Sequence, residues 1–147
     1  MKIIVTLKTL LEMVLTVVSS PESISKLREY VLGYYYDEDE YVFDELLEDA
    51  FIVLSPYLEM EEAEGDNALK TRMKRLVYVL ESGGVSKEGM VAALYYDAAI
   101  ELSNKHERQV IDDFTYRRKL GDLTPVEFDV AKLIDFIEGN AGALGAI

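Results

Sequence analysis

The only histidine of the chain, His106, stands seven residues before Asp113 in "KHERQVIDDF". Seven residues is close to two helical turns, so a helix would bring imidazole and carboxylate to one face, as a pair of metal ligands requires. Zinc needs three or four ligands, and neither a second histidine nor H-E-x-x-H is present. There is also no cysteine, which excludes a thiol nucleophile, a cysteine zinc site and a disulfide framework. His106 therefore reads as a residue of a solvated, charged face. "DEDE" at 37–40, followed by Asp44, offers the carboxylates that calcium takes. A calcium loop needs alternating ligands, a central glycine and a glutamate at its twelfth position, and this stretch has neither the glycine nor the spacing. "ESGGVSKEG" is accounted for by a helix stopping at its glycines and the next starting at Ser86. Phosphate-binding loops, dinucleotide fingerprints and nucleophile elbows are absent. Carboxylate pairs arise by chance in so acidic a chain. The sequence predicts no enzyme, no metal site and no cofactor.

What the chain does carry is charge in one place. Of 147 residues, 28 are acidic and 15 basic, a net charge of −13. Residues 37–64 hold twelve of the acids and no lysine or arginine, so this segment carries −12 and the remainder −1. Such asymmetry points to a partner. It excludes direct binding to nucleic acid, whose phosphates would be repelled, and to an anionic membrane surface. A basic protein is the partner it favours. "KTRMKR" at 70–75 and "YRRKL" at 116–120 are short basic clusters, read as internal or surface partners of acids rather than as a nucleic-acid patch.

The densest stretch, "YVLGYYYDEDEYVFDELLED" from Tyr30 to Asp49, contains five tyrosines and eight acids. Tyrosine offers a large contact area at low entropic cost and a hydrogen-bonding tip, so it concentrates at binding surfaces. Acids steer a cationic partner inward. The candidate partner-binding residues are therefore Tyr35, Tyr36, Asp37, Glu38, Asp39, Glu40, Tyr41, Asp44, Glu45, Glu48 and Asp49. In a helix over 39–54, Asp44–Glu48 and Glu45–Asp49 become like-charge pairs at i,i+4, each destabilising by a few tenths of a kcal/mol. The helix dipole favours acids at 37–40, and leaves those at 44–49 without a structural reason.

The elements that must position these residues are helical, because apolar residues recur mostly at helical spacing. A first helix covers 3–18 with Ile3, Ile4, Leu7, Leu10, Leu11, Val14 and Val18 inward, although the β-branched residues leave a strand at 2–6 open. Lys8 and Glu12 interrupt the apolar run, so the segment reads as a core helix rather than a cleaved signal or a membrane span. Ser20 and Pro21 start a second helix carrying Ile24, Leu27 and Val31. The third runs over 39–54 with Phe43, Leu46, Leu47, Ala50, Phe51 and Leu54 inward, and Ser55-Pro56 bends or ends it. A fourth, after Asp66 or Asn67, repeats Leu69, Met73, Leu76, Val77 and Leu80 and stops at Gly83-Gly84. A fifth begins at Ser86 and a sixth spans 105–119 with Val110, Ile111 and Phe114 inward; the two are alternatively one helix bent near Ser103-Asn104. Leu123-Thr124-Pro125-Val126-Glu127-Phe128 supplies a capping box, a proline in the first turn and a hydrophobic staple for a seventh helix. With no convincing strand pair, the expected fold is all-α, a compact bundle of six or seven helices. Residues 1–138 form one domain, whose only seam would be the loop at 62–67, and 139–147 form a flexible tail.

A small, acidic, cysteine-free helical chain with clustered Tyr and Asp/Glu over residues 30–64 resembles bacterial toxin-immunity proteins, such as those of colicins and contact-dependent inhibition. Colicin-type members place a proline after a tyrosine pair, whereas "GYYYDEDEY" has none. The resemblance implies binding to, and blocking of, a basic nuclease toxin domain in the cytoplasm. Two other classes remain open. One is a nucleic-acid mimic or small adaptor, which would need carboxylates spread over a long surface. The other is a helical metal-binding protein or enzyme.

Overall fold

The computed structural model describes residues 3–36, 41–43, 47–60, 65–83 and 85–147. Among these residues lie eight α-helices and two short strands, in the order β1 (Ile3–Val5), α1 (Leu7–Ser19), α2 (Ile24–Tyr36), β2 (Tyr41–Phe43), α3 (Leu47–Glu59), α4 (Asp66–Glu81), α5 (Lys87–Leu94), α6 (Tyr96–Glu107), α7 (Asp113–Gly121) and α8 (Val130–Gly145). The fold is an all-α compact bundle.

Its axis is α5, whose residues from Gly89 to Leu94 are all buried. A short helix apolar on every side cannot face water, and α3, α4 and α8 pack around it. The small side chains of Gly89, Ala92 and Ala93 leave room for those neighbours. Helix α1 lies along α4, and α2 against α3. Leu10, Val14 and Val17 fill the inner side of α1. Leu69, Met73, Leu76 and Leu80 form the inner stripe of α4, as their spacing predicts.

Several boundaries follow the local chemistry. Ser86 caps α5, its hydroxyl accepting from the Gly89 amide at 3.0 Å. Gly83 adopts φ 78° after α4, a conformation that glycine reaches without strain. Thr6 caps α1 by accepting from the Thr9 amide at 3.1 Å. Pro56 lies inside α3, which continues to Glu59.

Other expectations are corrected. Residues 41–43 are a strand and not the start of a helix over 39–54. Tyr41, Val42 and Phe43 pair in parallel with Ile3, Ile4 and Val5, since six β-branched or aromatic residues suit a pleated ribbon better than a helix. Ile4 thereby turns outward at 65% exposure instead of entering a helical stripe. The break in the long central helix falls at Tyr95 rather than near Ser103-Asn104. The helix expected over 105–119 divides, because the chain turns after Glu107 with Gln109 at φ 60°. That turn resets the helical phase, so Val110 and Phe114 point out of the core at 67% and 75% exposure. Thr124 does not cap the last helix. It is buried, its hydroxyl accepts from the Val126 amide at 3.4 Å, and Asp129 caps α8 through the Lys132 amide. The segment 139–147, expected as a flexible tail, continues α8 to Gly145 and buries Leu144.

Candidate functional site

Tyr35 and Tyr36 close α2, Tyr41 opens β2, and Glu48 and Asp49 lie in the first turn of α3. The remaining candidates, Asp37, Glu38, Asp39, Glu40, Asp44 and Glu45, lie outside the described residues. Chain connectivity brings the five described candidates to one region, the junction of α2, β2 and α3.

An aromatic cluster holds that junction together. Phe43 meets Phe51 edge-on with ring centroids 5.0 Å apart, and Tyr30 meets Phe51 at 5.7 Å. Tyr41 stacks on Phe43 and lies 6.3 Å from Tyr30. Such pairs contribute roughly 0.5–1.5 kcal/mol each beyond area burial. The Tyr41 hydroxyl donates to the Tyr30 carbonyl at 2.9 Å, tying β2 to α2 across eleven residues. Gly33 makes this fit possible, because a Cβ there would lie 2.5 Å from the Tyr41 hydroxyl oxygen. Tyr41 is thus half-buried within the fold, with a structural task that its sequence position did not reveal. Among the described residues the buried Tyr30 hydroxyl has no hydrogen-bond partner. Burial, with a smaller contribution from Tyr41, raises its pKa above the ordinary tyrosine value.

The outward side of the ribbon is different in character. Ile4 and Val42 are register partners, and both are exposed. Ile3 and Leu7 are exposed beside them in sequence. An apolar ribbon therefore lies between the acids of 37–40 and those of 44–49 along the chain.

Glu48 is exposed and Asp49 half-buried. Among the described residues no cation forms an ion pair with either. Because α3 begins at Leu47, both occupy its first turn, where the helix dipole favours negative charge. Their acidity thus has the structural reason that a helix over 39–54 denied them. The other end of α3 has the chain's own cations beside it. The Arg28 side chain donates to the Leu58 carbonyl at 2.7 Å, and Arg72 donates to the Tyr57 hydroxyl at 3.2 Å while lying over its ring. Arg75, from the same basic cluster, is internal: it is 6% exposed, bonds Asp97 and the Leu144 carbonyl, and stacks on Tyr96.

His106 stacks on Tyr116 at 4.5 Å, and its Nε2 lies 3.6 Å from Asp113. The pairing foreseen from the spacing is present, although a turn and a second helix create it rather than one continuous helix. Among the described residues no group of three or more His, Asp or Glu side chains could hold a metal ion. Nor does any helix among them have the length and apolarity to cross a membrane. A hollow of about 230 Å³ between α1 and the start of α2 is lined by Met13, Thr16, Ser23, Lys26 and Leu27, without a cluster of groups suited to catalysis.

Comparison with protein-family models, with curated proteins and with solved structures gave no match.

Proposed function

We propose that this chain is an acidic protein-binding module that neutralises a basic partner, acting as an immunity protein that blocks a cognate nuclease toxin domain. The observation that carries this reading is the concentration of twelve acids, without a lysine or arginine, in residues 37–64 of a chain otherwise close to neutral. The environment of the β2–α3 junction supports it. Glu48 and Asp49 have no ion-pair partner among the described residues, and Val42, exposed like its register partner Ile4, lies six residues before Glu48 in the chain. In this reading the carboxylates accelerate encounter with a cationic nuclease surface. The ribbon and the tyrosines at the end of α2 then slow release, because buried aromatic and apolar anchors act mainly on dissociation.

The test needs a basic nuclease domain as partner, sought among the products of the neighbouring genes. Association is measured at low and high salt for the native chain and for a variant carrying Glu45→Lys, Glu48→Lys and Asp49→Lys. The expected result is an on-rate lowered roughly tenfold or more at low salt in the variant, with the difference shrinking as salt rises. Tyr35→Ala or Tyr36→Ala is expected to raise the off-rate instead. An on-rate indifferent to both salt and the three lysines removes the steering mechanism. A nuclease that remains active in a saturated complex removes the immunity reading.

A further inference from the structure

The last turns of α8 are helical against their own composition. Gly139, Gly142 and Gly145 all lie in this end of the helix, and each weakens the helical state roughly fivefold relative to alanine. Little burial offsets this. From residue 139 onward only Leu144 is buried, and Gly139, Ala141, Gly142, Gly145 and Ala146 are exposed. A segment of this composition stays helical only where other elements hold it.

The anchors come from α4 and from the start of α6. Arg75 on α4, itself 6% exposed, donates through Nε to the Leu144 carbonyl at 3.1 Å. Tyr78, three residues on and so on the same face of α4, donates to the Asn140 side-chain oxygen at 2.8 Å. Asn140 donates in turn to the Phe136 carbonyl, one helical turn back. Tyr96 lies under the Arg75 guanidinium at 4.4 Å. Its hydroxyl comes so near Gly145 that a Cβ there would lie 3.1 Å away. The end of α8 is thus held by one buried leucine and two side-chain hydrogen bonds. Few buried apolar contacts and an exposed backbone are the marks of a unit that opens apart from the rest.

We propose that residues 139–147 form a releasable strap, hinged at Gly139, which covers a peptide-binding site made by Arg75, Tyr96 and the slot that Leu144 fills. Opening frees Nε of Arg75, while Nη1 keeps its bond to Asp97 at 3.1 Å and the guanidinium stays over the Tyr96 ring. The donor therefore remains aimed at the place the strap has left. The strap itself displays the chemistry that fits there: a leucine side chain and a backbone carbonyl from the same residue. Asp97 beside the guanidinium repels a carboxylate, so the ligand class is an apolar peptide segment and not an acid. A tethered strap competes at high effective concentration, so a free peptide enters only while the strap is open. The strap uses none of the acidic junction and stands independently of the immunity reading.

The experiment is amide exchange followed by NMR on the full chain, for the native protein, Gly142→Ala and Leu144→Ser. In the native chain the amides of the strap are expected to exchange about a hundredfold or more faster than those of α5, with the Arg75 Nε–H in step with them. Gly142 has open space around it, so Gly142→Ala should slow strap exchange roughly fivefold. Leu144→Ser should leave the strap open while its thermal melt shows the bundle folded. A synthetic peptide of residues 139–147, added to that variant at a concentration on the order of 1 mM, is expected to shift the Arg75 Nε–H resonance. The same peptide with its leucine replaced by serine should not. Strap amides that exchange only together with those of α5 overturn the proposal, as does a Leu144→Ser chain that unfolds as a whole. An Arg75 resonance that the peptide leaves unmoved in Leu144→Ser, or moves equally in the native chain, overturns the covered site.

Discussion

Two tyrosine neighbourhoods of this molecule are stabilised in opposite ways. Around α4, tyrosines lie under arginines: Arg72 sits over Tyr57, and Arg75 over Tyr96 at 4.4 Å. Arg75 extends its reach by donating to the Leu144 carbonyl, which fastens the end of α8 to α4 across 69 residues. Around β2, Tyr30 and Tyr41 pack against phenylalanines, and the Tyr41 hydroxyl donates to the Tyr30 backbone carbonyl. Cation and ring satisfy one another in the first neighbourhood. The second is flanked in sequence by carboxylates on both sides. The difference teaches that a chain with 15 basic residues sets Arg72 and Arg75 over tyrosine rings as internal clamps, whereas the cluster around β2 is held by ring-on-ring contacts.

The largest effect that tests this contrast is Arg75→Ala. It removes a buried guanidinium with two hydrogen bonds and a ring contact, and is expected to cost about 2–4 kcal/mol in urea unfolding. Asp97 is 78% exposed on its side chain, so Asp97→Asn should cost less than about 1 kcal/mol. Equal effects would mean that the ion pair, and not the tie to α8, matters. Gly33→Ala comes next. The new methyl must displace the Tyr41 hydroxyl, costing about 1–3 kcal/mol, partly offset by up to about 1 kcal/mol of better helix propensity. An unchanged midpoint would show that the Tyr41–Tyr30 bond does not hold the ribbon.

The smallest effect has the opposite sign. Tyr30→Phe deletes a buried hydroxyl that has no hydrogen-bond partner among the described residues, and is expected to stabilise the fold by roughly 0.5–1 kcal/mol. Because the folded-state pKa of Tyr30 is raised, the native chain holds that proton more tightly than the unfolded chain does. Its contribution is fully present below the ordinary tyrosine pKa and is lost as pH rises through the raised value. Tyr30→Phe should therefore flatten part of the alkaline loss of stability, and destabilisation by this variant would indicate that the hydroxyl is bonded in solution.

Where the sequence was legible, a local chemical reason was sufficient. Ser86 caps, Gly83 stops, and the α4 stripe keeps its phase for about three turns, from Leu69 to Leu80. It was illegible where distant or competing causes decided. Tyr41-Val42-Phe43 fits a helical stripe as well as a strand, and its strand partner lies at residues 3–5, with no hairpin turn to announce the pairing. Phe114 fits an inward position only if the helix is continuous through residue 109, and a single left-handed residue, Gln109, breaks that phase. The capping box read at Thr124 was not the one used, and Asp129 caps the last helix instead. The buried packing of Thr124 decided for Asp129, a tertiary effect no local motif encodes. At the candidate site, the acidity of residues 37–64 was read directly from composition. The half-burial of Tyr41 was not, because it depends on the missing Cβ of Gly33 one element away.

The parallel pairing of β1 with β2 has a kinetic consequence. Its register joins residues 38 positions apart, and two helices intervene between the strands. Closing so long a loop for a ribbon only three residues per strand is slow to nucleate and weak in return, so the ribbon should zip after α1 and α2 have docked and be among the first units to open. Amide exchange at Ile4 and Val42 should then run faster than in α5 and in step with one another, which would make the chain's outermost sheet a latch that breathes while the bundle stays shut.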